Sequence, residues 1–339
     1  MVQTLSTAYG AAAAWRRRWY ARHANWQRRL ERPVISVGNL RIGGAGKTPI
    51  VAHLASLLVA NGERPAILTR GYGRRFSPAG VTIVSDGSAS RALADVDSAG
   101  DEPLMLARAV PGAIVAVGAD RYLSGRLAEL KLGATVHILD DGFQHFQLAR
   151  DADLLVTSED DLGDRPVPAG HLREPLAVAA NADAAIVDAG YLPAAERVGR
   201  ALGVPRAFLT TRLLGPPRMV VNGDTVVVPK HSRVFATAAI ARPDRFFADL
   251  AAAEWQVVGT MPFRDHHQFS ARDIEKIAAA ARSTAAAIVL TTEKDGVRFA
   301  ARDLGGLLIA AVPLTATIEP ADAFRTWLFE RLGLAGRPQ

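Results

Sequence analysis

The stretch VISVGNLRIGGAGKTP, at residues 34–49, contains the features that decide the fold. It begins with an apolar run, continues through a segment rich in glycine and ends in Gly46, Lys47, Thr48 and Pro49. This order predicts a short buried strand, a phosphate-binding loop and the first turn of a helix, whose N–H groups and partial positive charge favour phosphate oxygens. We therefore interpret residues 34–49 as a nucleoside triphosphate site, with Lys47 and Thr48 placed for the outer phosphates and Mg²⁺.

The stretch departs from the general phosphate-loop pattern at one position. The pattern G-x-x-x-x-G-K-[ST] has glycine where this chain has Arg41, so residues 43–46 must supply the backbone freedom instead. A glycine-rich turn that binds nothing is the alternative interpretation. The loop is followed by apolar residues at helical spacing, and Asn61 and Gly62 end this predicted helix. A helix at this place favours the nucleotide site. The apolar residues at that spacing are Val51, Leu54, Ala55 and Leu58.

The composition is that of a folded globular protein. With 339 residues, 49% of them hydrophobic, the chain is long enough for two domains. Cysteine is absent, which excludes disulfides and thiolate metal sites and is typical of a reducing compartment.

The positive charge is concentrated in an amino-terminal arm, residues 1–34. The arm holds seven arginines and one acid, Glu31, so its net charge of +6 equals that of the whole chain. Drawn as a helix, the arm carries a stripe of Trp15, Trp19, Trp26 and Leu30, a combination suited to an anionic bilayer surface. Packing of this stripe on the protein's own core is the alternative. No basic patch continues into the body, so we do not expect nucleic acid as a partner.

A pair of carboxylates follows another apolar strand. Residues 136–139 are apolar apart from His137, and Asp140 and Asp141 come directly after them. An aspartate at this place is the usual partner of a phosphate loop and holds Mg²⁺ directly or through water. Asp101 and Glu102 precede an apolar helix, where a structural capping role is the ordinary interpretation.

The pattern of strands and helices predicts an α/β fold with a P-loop NTPase-like α/β/α sandwich and a second, smaller α/β domain. Asn222, Gly223 and Asp224 between two β-branched runs predict a hairpin, which we interpret as a β-ribbon linker. We expect five regions. They are an amphipathic membrane-associating arm (1–32), the P-loop domain (33–215), the ribbon (216–229), the smaller domain (230–315) and a C-terminal helix (316–339).

Taken together, the motifs resemble the tetraacyldisaccharide 4'-kinases, enzymes that phosphorylate a lipid A precursor. The resemblance covers most of the chain, and its specificity lies in the order of the motifs, since any one alone would be weak. The Arg41 departure falls in a family loop that also lacks that first glycine. The matching segments are residues 37–40, 43–49, 69–73, 100–103, 140–145, 172–175, 265–267 and 292–295.

The resemblance implies ATP- and Mg²⁺-dependent transfer of a phosphoryl group to the 4'-hydroxyl of a lipid-linked disaccharide 1-phosphate. It also implies two α/β/α domains with the active site in the cleft, peripheral attachment at the cytoplasmic face of the inner membrane, and the arm as the attachment. Asp101 is implied as the base, assisted by His266, with Lys47 on the phosphates. Nucleotide contacts are implied for Gly43, Gly44, Ala45, Gly46, Lys47, Thr48, Gln144, His145 and Arg173, and the metal shell for Thr48, Asp140, Asp141 and Glu174.

Two other classes of protein are compatible with parts of the sequence. A P-loop NTPase could couple hydrolysis to a membrane-associated partner, and it would turn over ATP without any lipid acceptor. A membrane-docking protein with a degenerate nucleotide fold would not need Lys47, Thr48 and the Asp140–Asp141 pair, all of which are intact.

Overall fold

The computed structural model describes residues 2–44, 46–72, 74, 76, 80–88 and 92–334. Its strands are β1 Val34–Gly38, β2 Pro65–Thr69, β3 Thr82–Asp86, β4 Ile114–Val117, β5 Val136–Asp140, β6 Ala152–Ser158, β7 Ala184–Asp188, β8 Ala207–Leu214, β9 Arg218–Met219, β10 Arg233–Ala238, β11 Gln256–Pro262, β12 Ile288–Thr292, β13 Ile309–Val312 and β14 Leu314–Glu319. Its α-helices are α1 Val2–Arg22, α2 Lys47–Ala60, α3 Val96–Ala99, α4 Asp101–Ala109, α5 Arg121–Leu132, α6 Leu192–Leu202, α7 Pro243–Ala252, α8 Ala271–Ser283, α9 Glu293–Phe299 and α10 Ala321–Arg331.

A large sheet places the P-loop near its centre. Its order among the described strands is β14-β8-β7-β6-β1-β5-β2-β4-β3, and all neighbours are parallel except the edge pairs β14–β8 and β3–β4. Helices α2, α4 and α10 pack on one face, and α5 and α6 contribute to the clusters of the other. Every residue of β1 is buried, as expected for a parallel strand covered on both sides. The predicted α/β/α sandwich is confirmed.

The second unit is a smaller sheet in the order β11-β10-β12-β13-β9, parallel except for β9. Apolar clusters lie on both of its faces, so it is also covered by helices. The predicted hairpin after residue 218 is short. It comprises a turn closed by the bond from Gly223 N–H to the Met219 carbonyl and a single bridge between Arg218 and Thr225.

The end of the chain returns to the large sheet. Strand β14, which the sequence analysis did not predict, pairs with β8 over six residues, and the expected boundary at 315/316 lies inside it. Helix α10 then buries Phe324 and Leu328 in the core of the P-loop domain. The smaller domain is therefore an insertion between β8 and β14. Its two connections are adjacent, because Gly215 N–H donates to the Pro313 carbonyl over 2.8 Å.

Helix α1 has one buried and one exposed side. Ser6, Gly10 and Arg17 are buried, whereas Trp15 is 66% and Trp26 62% exposed. The predicted stripe is not continuous, since α1 ends at Arg22 and Leu30 is buried against α5. Within the described part of the chain, no helix is long and apolar enough to cross a membrane.

Candidate active site

The P-loop leads from β1 into α2 through a left-handed residue. Gly46, with φ of +73°, caps α2 without any side-chain hydrogen bond, so the first N–H groups of the helix stay available to an anion. Gly43 also has positive φ, at +95°. The prediction for Ala45 falls outside the described residues. Arg41 forms ion pairs with Asp161 and Asp164, which explains how the loop accommodates a large side chain at this position.

Lys47 lies between the P-loop strand and the paired carboxylates. Its Nζ is 2.9 Å from Asn39 Oδ1 and 3.2 Å from Asp141 Oδ1. The parallel pairing of β1 with β5 produces this proximity, since the carboxyl ends of both strands meet at one edge of the sheet. Thr48 follows in the first turn of α2 and is partly exposed.

The environments of Asp140 and Asp141 differ. Burial, assisted by the charge of Glu102, raises the pKa of Asp140 to about 7, and the Thr69 hydroxyl donates to this carboxylate over 3.1 Å. Burial opposes ionisation of Asp141 too, but Lys47 and Arg173 outweigh it and lower its pKa. A buried carboxylate of raised pKa is stabilised in its charged form by a cation. The pair, with Thr48 nearby, therefore fits the few hard oxygen donors that Mg²⁺ takes from a protein.

The loop of residues 164–175 supports the P-loop from the side. Arg173 N–H donates to the Leu40 carbonyl over 2.6 Å, and the Arg173 guanidinium holds Asp141 at 2.8 Å. Glu174 is buried, and its oxygens accept from Arg17 of α1 and from the Gln144 amide. Sequence reasoning did not find Arg17, because both interpretations of the arm, membrane surface and packing on the core, concerned its tryptophan stripe.

His145 lies among cations. Burial lowers the pKa of its imidazole to about 4, and the charges of Arg121 and Arg150 act in the same direction. Burial lowers the pKa of Arg121 to about 10, with Arg70 contributing. The imidazole is therefore neutral at pH 7, in a region whose positive charge suits an anionic group.

The structure brings Asp101 and His266 together although they belong to different sheets. Asp101 is the first residue of α4, and its Oδ2 is 3.4 Å from His266 Nδ1. His266 has a positive φ of 61°, and Tyr72 packs edge-on against its ring at 5.1 Å. Lys294 Nζ is 3.2 Å from His266 Nε2. The two ring nitrogens of His266 therefore face Asp101 on one side and Lys294 on the other.

Arg298 completes this cluster and was missed in the sequence. Its buried guanidinium contacts Asp101 directly and lies 3.0 Å from His266 Nδ1. Burial alone would raise the pKa of Asp101, but hydrogen bonds from His266 and Arg298 lower it below its ordinary value. Helical spacing was the available signal, since Arg298 lies one turn after Lys294 on α9.

A profile of the family described as "Tetraacyldisaccharide-1-P 4'-kinase" matches residues 1–333. The chain belongs to this family. A tetraacyldisaccharide 4'-kinase of Koribacter versatilis is 38% identical, with 94% of this chain and 95% of that protein covered. One of Geobacter sulfurreducens is 40% identical, with coverage of 91% and 85%. The crystal structure of LpxK from Aquifex aeolicus in complex with ATP has a TM-score of 0.75 and 29% identity, covering 97% of this chain and 98% of that one.

In this member of the tetraacyldisaccharide 4'-kinase family, a cavity of about 740 Å³ lies beside the P-loop. It is lined by the carboxyl ends of β6 and β7 and by residues 241–245 of the smaller domain. A Cβ added to Gly43 would approach Ala241 to 3.5 Å, which places this lining next to the P-loop. Open α/β sheets bind ligands at this edge, which makes the cavity a candidate ligand site next to the P-loop.

Proposed function

We propose that the protein is a kinase that transfers the γ-phosphoryl group of ATP to the 4'-hydroxyl of a tetraacyldisaccharide 1-phosphate, a step of lipid A biosynthesis. The observation that carries the proposal is the meeting of two independent sets of groups in one cleft. Lys47, Asp140 and Asp141 form a phosphate and metal site on the large sheet, while Asp101 and His266 form a proton-accepting pair across the two domains. Attack by water would also need a proton acceptor, so the choice of the disaccharide over water is supported by membership of the 4'-kinase family.

Phosphoryl transfer needs alignment and charge neutralisation more than covalent participation of the protein. The P-loop N–H groups and Lys47 bind the outer phosphates, and Arg173 orients Asp141. Thr48, Asp140 and Asp141 would hold Mg²⁺, which supplies charge neutralisation between the phosphates when bound. The metal role of Glu174 stays a prediction. Its oxygens already accept hydrogen bonds from Arg17 and Gln144, so a metal ion would have to share them.

The reaction moves one proton and exchanges one bond. The acceptor 4'-oxygen forms a bond to the γ-phosphorus, the bond from that phosphorus to the bridging oxygen breaks, and ADP leaves. The hydroxyl proton passes to Asp101, whose charge His266 and Arg298 stabilise beforehand. Gln144, His145 and the P-loop glycines would contact the nucleotide.

The acceptor's acyl chains require a membrane surface. The exposed aromatic residues of the arm, with the arginines Arg16, Arg18 and Arg22 beside them, are suited to the interface of an anionic bilayer. We propose peripheral attachment at the cytoplasmic face of the inner membrane, where ATP is available.

Transfer of ³²P from [γ-³²P]ATP to a purified acceptor disaccharide in detergent micelles tests the proposal. We expect labelled lipid with wild-type protein and Mg²⁺, and none with Lys47→Ala. Release of labelled phosphate without labelled lipid would instead support an NTPase that drives a membrane-associated partner.

A further inference from the structure

Helix α1 is docked on the loop of residues 164–175 by its small residues. The Ser6 hydroxyl donates to the Pro166 carbonyl over 2.6 Å, and a Cβ on Gly10 would approach Pro175 to 3.0 Å. Such close approach is possible only where side chains are small. The same helix face then presents Arg17 to the end of this loop.

Arg17 is buried against the active site. Its Nη2 is 2.7 Å and its Nε 3.2 Å from the two oxygens of Glu174, and Nη2 also donates to the Phe143 carbonyl over 3.1 Å. The guanidinium lies over the rings of Phe143 and Phe146, at 4.3 and 4.7 Å from their centres. Only 8% of the Arg17 side chain and 3% of the Glu174 side chain are exposed. An arginine that only met lipid headgroups would remain in the aqueous interface.

A short chain of contacts leads from Glu174 to the P-loop. Its Oε2 also accepts from Gln144 Nε2 over 3.2 Å, and the same amide nitrogen donates to the Asn39 backbone carbonyl over 3.0 Å. The side chain of Asn39 in turn holds Lys47. The amide oxygen of Gln144 faces Arg173 at 3.4 Å.

We infer that Arg17 is a positioning residue for ATP, so that α1 is a structural part of the nucleotide site as well as the arm that meets the membrane. Removing the guanidinium would leave the buried Glu174 carboxylate without its cation. That carboxylate would then attract Gln144 and Arg173 more strongly. These two side chains hold the P-loop and Asp141, so both would be displaced. The inference rests on the proposed kinase activity only through its kinetic readout.

The matched pair of variants is Arg17→Met and Arg18→Met in the full-length protein. Both remove one arginine from α1, but Arg18 is exposed. We expect Arg17→Met to lower kcat/KM for ATP by roughly 10- to 100-fold, as loss of groups that support an active site commonly does. Its KM for the acceptor in detergent micelles and its binding to anionic vesicles should equal those of wild type, because Arg17 is buried; only Arg18→Met removes a cation from the exposed side of α1.

Three further measurements separate positioning from folding. The affinity for a fluorescent ATP analogue, measured without acceptor, should fall in Arg17→Met and not in Arg18→Met. Arg17→Lys keeps the charge but loses the two-pronged contact, so it should show an intermediate loss even if Arg17→Met does not fold. Guanidinium ion added to Arg17→Ala should restore part of the activity.

Equal ATP kinetics in the Arg17 and Arg18 variants, with wild-type activity present, would overturn the inference. So would a defect confined to vesicle binding and the KM for the acceptor. Failure of wild-type protein to label the lipid would instead reject the proposed function itself, so the two failures are distinguishable.

Discussion

Asp101 is held in its charged form before any substrate arrives. Arg298 and His266 supply hydrogen bonds from the smaller domain, and Arg298 and Lys294 supply positive charge. ATP phosphates near a carboxylate would raise its pKa by repulsion, and these cations oppose that rise. The cluster therefore maintains a carboxylate able to accept a proton at neutral pH.

Asp101→Asn should lower kcat by about 10²- to 10⁴-fold with little change in the KM for ATP, because it removes proton acceptance and not nucleotide binding. His266→Ala should lose less. The double variant should be less impaired than the product of the single losses, since groups in contact do not act independently. Steady-state kinetics and melting temperatures of the three variants check this. Near-normal kcat with a lowered melting temperature for Asp101→Asn would show that Asp101 only stabilises the start of helix α4 and is not the base.

His145 should make stability depend on pH. Its pKa is about 4 in the folded protein, below the ordinary histidine value near 6.5. The unfolded chain therefore binds a proton between those values and the folded protein does not, so stability is lost as pH falls from about 6.5 toward 4. We expect His145→Gln to reduce the loss of unfolding free energy between pH 7.5 and pH 5.5 by about 1 kcal/mol.

Chemical denaturation at both pH values measures this difference. His231→Gln serves as the control, since the His231 side chain is 80% exposed. An identical pH dependence in wild type and His145→Gln would show that His145 is protonated alike in the folded and unfolded states.

Local sequence was sufficient for one part of the candidate site. Lys47 and the Asp140–Asp141 pair could be predicted because a glycine-rich loop and carboxylates after a strand have direct chemical meaning. Arg17 and Arg298 were missed, because arginine is common on exposed helix faces and the helical spacing of Arg298 with Lys294 does not by itself indicate burial. Only the packing of α1 and α9 against the P-loop domain shows that these two are buried.

At the scale of elements, we propose that the two sides of α1 have different roles. Its inner side meets the loop of residues 164–175, and its outer side exposes Tyr9 and Trp15, with Trp26 in the turn beyond. Deleting the whole arm would remove Arg17 as well, so a loss of activity after deletion would not separate attachment from support of the site.

Trp15→Ala/Trp26→Ala should lower partition onto anionic vesicles by about tenfold or more, since full burial of each ring would contribute roughly 1.5–3 kcal/mol. Co-sedimentation with vesicles measures this. Activity on acceptor in detergent micelles should remain near wild type, because the inner side of α1 is unchanged.

Tyr191→Ala, an exposed aromatic on the body of the protein, is the control for loss of a ring. Unchanged co-sedimentation of the Trp15→Ala/Trp26→Ala protein would show that the exposed aromatic side of the arm does not enter the bilayer surface.

Strand β14 was not predicted, because its sequence pattern is short and its partner strand is distant in the chain. Ala316 and Ile318 are buried and alternate with threonines, which is a strand period, but the run is short and enclosed by Pro313 and Pro320. Its partner β8 lies about a hundred residues earlier in the chain. No local signal indicated that the chain re-enters the first sheet after completing the second.

At the scale of the whole molecule, the smaller domain interrupts the larger one. Strand β14 and helix α10 belong to the core of the P-loop domain, with Phe324 stacked edge-on against Phe208 at 5.0 Å. We expect a chain in which residues 216–312 are replaced by a short glycine-serine linker to fold, because the ends it must join are already hydrogen-bonded. Circular dichroism and a cooperative thermal transition check this, and the shortened chain should lack transferase activity without His266.

A chain that ends at residue 313 supplies the contrast. It keeps the smaller domain but loses β14 and α10, so Phe208 and Ile186 would lie in an incomplete core and we expect no cooperative transition. Cooperative folding of this truncated chain, or failure of the shortened one, would contradict the assignment of the C-terminal segment to the P-loop domain.

The side-by-side crossings at Gly215 and Pro313 restrict how the two domains can move. One connecting segment would allow rotation about three axes. Two connecting segments that are hydrogen-bonded side by side form a flat strap, which bends readily about one axis and resists twisting. If the smaller domain opens, we expect it to bend about this strap without twisting, so that His266 returns to the same place beside Asp101. An approach confined to one angle would cost little orientational entropy.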